Sequence, residues 1–77
     1  MISRMVADAL KEAVAKHQGE CASPDVCGRI KREFIHIMRS RHGVDWSGQA
    51  RRIAVEFIDG RSPNLVIAPE LMQRSLH

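Results

Sequence analysis

Ile53-Ala54-Val55-Glu56-Phe57-Ile58-Asp59-Gly60-Arg61-Ser62-Pro63-Asn64-Leu65-Val66-Ile67-Ala68-Pro69 is the stretch on which the fold turns. Leu65-Val66-Ile67-Ala68 is apolar and largely β-branched, and Pro69 cuts it off before it can make a helix. A lone strand leaves its backbone N–H and C=O groups unpaired, so it needs a second strand. The best partner in the chain is Ile53–Ile58, where Ile53, Val55 and Phe57 alternate with Ala54 and Glu56. Asp59-Gly60-Arg61-Ser62-Pro63-Asn64 is rich in turn formers and joins the two. The reading is a β-hairpin. The competing reading starts a helix at Ser47 with the face Trp46, Ala50, Ile53, Ala54, Phe57 and Ile58, which gives an all-α bundle of three to four helices.

Upstream of this stretch the periodicity is helical. Ser23-Pro24-Asp25 carries a capping hydroxyl, a proline suited to the first helical position and an acid for the positive end of the dipole. The spacing predicts a helix from there to His42, stopped by Gly43, with Val26, Cys27, Ile30, Phe34, Ile37 and Met38 facing the core. Gly28 near its start weakens it, and a close helix–helix approach is the expected reason. An earlier helix is predicted over Ser3–His17, ended by Gly19, with the stripe Ile2, Met5, Val6, Ala9, Leu10, Ala13 and Val14. Downstream, Pro69-Glu70 opens a short helix through Leu71 and Met72. The expected architecture is a single α+β domain over residues 1–77: two amphipathic helices, a β-hairpin and a short C-terminal helix.

Composition places the chain near the average of soluble domains, at 44% hydrophobic and 27% charged residues. That excludes collagen-like, low-complexity and disulfide-dense classes. No apolar run approaches the roughly 20 residues that cross a bilayer, so no membrane partner is expected. The N-terminal stretch lacks the apolar centre of a secretory signal, because Asp8, Lys11 and Glu12 interrupt it. The expectation is a cytoplasmic protein with free thiols at Cys21 and Cys27.

The net charge of +3 is unevenly spread. Residues 29–52 hold seven basic residues (Arg29, Lys31, Arg32, Arg39, Arg41, Arg51, Arg52) against Glu33 and Asp45, for a net of +5, while the rest of the chain nets −2. At about 100° per residue, Arg29, Arg32, His36 and Arg39 share the sector opposite Ile30, Phe34 and Ile37. Ile35 sits beside this row, either in a contact surface or, the favoured reading, under the C-terminal half.

Chemistry-bearing motifs are absent. His17, Cys21, Cys27, His36 and His42 are metal-ligand types, but the two cysteines are six residues apart, unlike the C-x2–4-C of structural zinc sites. Cys27 and His36 would lie about 13.5 Å apart along one helix. His17, Cys21 and Cys27 lack a fourth ligand, so neither metal nor cofactor is expected. Cys21 near a helix start has no orienting triad, and the dispersed glycines form no phosphate loop. No catalytic residue and no enzymatic activity are expected.

What remains is binding. The favoured reading is a small regulatory protein of the adaptor or inhibitor type. Its basic helix face (Arg29, Arg32, Ile35, His36, Arg39, with Arg51 and Arg52) would meet an acidic protein partner. Trp46 is either an interface anchor or, the favoured choice, a core residue closing the second helix. With His36 in the row, binding is expected to strengthen as pH falls toward the titration range of histidine. The alternative is a nucleic-acid-binding regulator of helix-turn-helix type. It would use Phe34–Arg41, the turn His42-Gly43-Val44 and a second helix over Ser47–Ile58, with Gln49, Arg51 and Arg52 at the bases and Lys31 and Arg32 on phosphates. Exposed strand edges and the small core also predict a homodimer.

Overall fold

A computed structural model describes the backbone of residues 2–74 and the side chains of residues 4–71. The element order is α1 (Ile2–Ala15), α2 (Pro24–His42), a 3₁₀ segment (Ser47–Arg52), β1 (Ile53–Phe57), β2 (Pro63–Ile67) and α3 (Pro69–Arg74). The α+β reading holds, and the all-helical bundle is not what forms. The side chains of Ile2, expected in the α1 stripe, and of Met72, expected in the last helix, lie outside the described residues.

α2 begins and ends where its caps dictate. The Ser23 hydroxyl accepts the Val26 N–H at 3.2 Å, and Gly43 closes the helix in the left-handed conformation at φ 69°, its N–H returning to the Arg39 carbonyl. A side chain with a Cβ is strained there, so glycine fits that position. α1 ends at Ala15, two residues before the expected His17, and a hydrogen-bonded turn carries the chain on to Gly19.

The two strands pair antiparallel with Ile53 opposite Ile67, Val55 opposite Leu65 and Phe57 opposite Pro63. β2 therefore starts at Pro63, two residues earlier than its apolar run suggests. The ladder explains why proline is tolerated. Ala68 N–H bonds the Arg52 carbonyl and Ile58 N–H bonds the Ser62 carbonyl, so even-numbered β1 residues face β2 and Pro63 turns its nitrogen outward. The turn shortens accordingly. The Asp59 carboxylate accepts from Arg61 N–H at 3.0 Å and Ser62 O–H at 3.1 Å, and Gly60 takes φ 82°. Those bonds hold the Asp59 carboxyl below the usual carboxylate range, the Arg61 N–H contributing most.

One core joins the three α-helices and both strands. Val6, Ala9 and Ala13 of α1 meet Val26, Ile30, Phe34, Ile37 and Met38 of α2, with Trp46, Ile53, Leu65 and Leu71 completing it. Phe34 and Trp46 pack as a tilted ring pair at 5.9 Å. The hairpin tip is stitched to the α1–α2 loop by Gly19 N–H to the Arg61 carbonyl and Ala22 N–H to the Gly60 carbonyl. No helix among the described residues is long and apolar enough to cross a membrane.

Candidate functional site

The chain between α2 and β1 decides the site. Asp45 accepts the Ser47 N–H at 3.0 Å, a side-chain-to-backbone turn that starts the 3₁₀ segment. That bond, then the Ser47 hydroxyl and more weakly the charge of Arg39, hold the Asp45 carboxyl below the usual range. Gln49, at φ −111°, kinks the segment, and Ile53 N–H closes it on the Ala50 carbonyl. Trp46 anchors the segment to the core, while none of its own residues is buried.

The segment thereby lies beside α2, and the two enclose an open cleft of about 340 Å³ lined by Arg32, Ile35, His36 and Arg39 on the helix and by Ser47 and Ala50 opposite. Ile35 is half-buried against the core and the other lining residues are exposed. Among the described residues no carboxylate comes within ion-pair distance of Arg32 or Arg39. The cleft is thus an apolar floor between cations without a contact ion pair, Arg39 feeling only the more distant charge of Asp45.

Of the expected surface, the structure brings together Arg32, Ile35, His36 and Arg39. Arg29 leaves the row: its guanidinium stands 3.7 Å from Glu20, which also meets His17 Nδ1 at 2.5 Å. Arg51 and Arg52 are exposed at the end of the 3₁₀ segment, outside the cleft lining. Trp46 does not belong to this surface. It is 6% exposed and packed on Phe34, so it holds the cleft wall from beneath.

Gly28 also departs from expectation, since among the described residues no atom of a second helix lies within 4 Å of a Cβ built there. A Cβ built there would meet Arg32 Nη1 at 3.7 Å and nothing else within 4 Å outside its own helix and chain neighbours. The guanidinium of Arg32 lies back over this gap, one turn toward the helix N-terminus.

The helix-turn-helix geometry is not present, because the residues required for its second helix are a six-residue 3₁₀ segment followed by a strand. Cys21 is exposed and Cys27 half-buried, both as free thiols, and no group of three or more His, Cys, Asp or Glu side chains among the described residues could hold a metal ion. His42 Nε2 is buried without a hydrogen-bond partner.

Ser47 and Ala50 are the cleft residues that sequence reading placed only in the competing helix, as its start and on its apolar face, and not in the binding surface. The spacing Asp45-Trp46-Ser47 was the available signal, because Asp two residues before a serine favours a local side-chain turn. Compared with known protein families, curated proteins and solved structures, the chain matches none.

Proposed function

We propose that this chain is a small non-enzymatic regulatory protein that binds an acidic protein partner through the cleft between α2 and the 3₁₀ segment. The observation that supports this reading is the pairing of Arg32, His36 and Arg39 with the half-buried Ile35 in one concavity. Cations alone would suit phosphates or carboxylates equally. The apolar floor favours a protein, since a sugar-phosphate backbone leaves Ile35 and Ala50 without a complementary contact. Arg51 and Arg52 extend the positive surface beyond the cleft. With two cysteines, neither in a disulfide, the reading assigns the protein to the cytoplasm.

The test is comparative capture from the producing cells with the wild-type chain and with the double variant Arg32→Glu/Arg39→Glu. Capture that survives nuclease and is lost in the folded variant agrees with the proposal. Nuclease-sensitive capture would transfer the same residues to nucleic acid, and capture indifferent to the variant would refute the assignment.

Self-association is a second reading, favoured by the two-stranded sheet. No third strand pairs with it among the described residues, and Val66 and Ile58 are 42% and 79% exposed. Sedimentation equilibrium at high concentration decides it: a strict monomer removes the dimer.

A further inference from the structure

The cleft has dimensions that narrow its ligand. The backbone positions of Arg32 and Arg39 are seven residues apart on α2, about 10.5 Å along the axis, and the Arg32 guanidinium leans back over Gly28, the direction in which helical side chains tilt. Residues three apart on a polyproline II chain share a face and stand about 9.3 Å apart, near that spacing, whereas on a β-strand they would point to opposite faces. The residue between the two cations, half-buried Ile35, faces Ala50 across the cleft and offers contact to one aliphatic side chain. His36 adds a ring nitrogen beside the line joining the two arginines.

Resting on the acidic-partner reading above, we infer that the cleft is a receptor for an extended acidic peptide segment. The segment carries two carboxylates three residues apart and one aliphatic side chain between them. The carboxylates meet Arg32 and Arg39, and the aliphatic group lies on Ile35 and Ala50. Charge complementarity supplies orientation, because a guanidinium donates paired N–H bonds to the two oxygens of a carboxylate. The apolar contact supplies discrimination against a purely acidic chain.

A blocked peptide of sequence Ser-Ser-Glu-Leu-Ser-Glu-Ser-Ser serves as the probe, titrated into the full chain and followed by amide NMR shifts and calorimetry at low salt. Saturable shifts are expected at Ile35, Ser47 and Ala50. Replacing the peptide leucine by serine, or both glutamates by glutamine, weakens binding about tenfold or more. Ala50→Glu, at an exposed position, fills the cleft and places a carboxylate by the cations, with a loss of the same order. Arg29→Gln changes affinity less than about twofold, because that residue already faces Glu20. Equal binding of all three peptides, or indifference to Ala50→Glu, overturns the inference. A peptide that fails to bind while Arg32→Glu/Arg39→Glu still abolishes partner capture sinks this ligand and leaves the acidic-partner reading standing. Capture unaffected by the double variant removes both.

Discussion

The two flanks of α2 carry similar residues and opposite electrostatics. On the side of α1 and its loop three charges of α2 find partners: Glu33 meets Lys16, Arg41 meets Glu12 in a two-pronged contact, and Arg29 approaches Glu20. Arg41 holds the Glu12 carboxyl below its usual range, and Glu33 raises the Lys16 ammonium above its own. On the side of the 3₁₀ segment, Arg32 and Arg39 have no such partner among the described residues. Sequence distance explains neither arrangement, since the two sets interleave along one helix. Tertiary neighbours do: α1 brings Glu12 to one flank, while the 3₁₀ segment lines the other with Ser47 and Ala50. One flank consumes its charge within the fold, and the other holds it available.

The strongest way to break this contrast is to remove what holds the cleft wall. Trp46→Ala is expected to cost about 3–5 kcal/mol, comparable to the whole stability of a domain this small. The domain should be largely unfolded by circular dichroism. A folded variant that merely loses binding would make Trp46 an interface anchor instead.

Matched charge removal tests the flanks directly. Arg32→Gln/Arg39→Gln and Arg29→Gln/Arg41→Gln each delete two positive charges, so their long-range effects nearly cancel in the comparison. The first pair should leave the melting temperature unchanged or raise it, because it relieves unpaired repulsion. The second should lower it, and equal melting temperatures would erase the distinction. The expected difference is modest, since exposed ion pairs contribute little.

Gly28→Ala is expected to stabilise the chain by about 1 kcal/mol through helix propensity. The new methyl meets only the flexible end of Arg32 at 3.7 Å. A melting temperature that falls would mean that the Arg32 guanidinium needs that gap.

The smallest effect is the acid response. The Asp45 and Asp59 carboxyls titrate lower in the folded chain than in the unfolded one. Their contribution is therefore present above the unfolded value, near pH 4, and lost as pH falls through the folded value. Asp45→Asn should flatten the acid limb of the stability curve. It should also alter amide shifts at Ser47 and Ala50 while leaving those of Glu12 and Arg41 in place.

Much of this architecture was legible because short-range chemistry decides it. Ser23-Pro24 and Gly43 bound α2 without help from the rest of the chain, and the apolar run ending at Pro69 required the hairpin. Less legible was Ser47–Arg52. Ser-Gly-Gln-Ala-Arg-Arg has no apolar period, so its form depends on the Asp45 carboxylate before it and on the Trp46 side chain seated in the core. The basic row was half legible. Angular position placed Arg29 with Arg32, His36 and Arg39, but angular position says nothing about which side chain bends toward a carboxylate on a neighbouring loop.

The stitching of the hairpin tip to the α1–α2 loop bears on how the chain assembles. α1–loop–α2 and β1–turn–β2 are both closed by short connections, so most ordering occurs between near neighbours in sequence, the condition for rapid folding. The Gly19–Arg61 and Ala22–Gly60 bonds span some forty residues each, and the loop-closure entropy of such long-range contacts makes them the ones expected to form last. The expected role is a late latch between the two arms. Substitutions around 19–22 should consequently speed unfolding more than they slow folding, whereas changes at Phe34 or Ile30 should do the reverse.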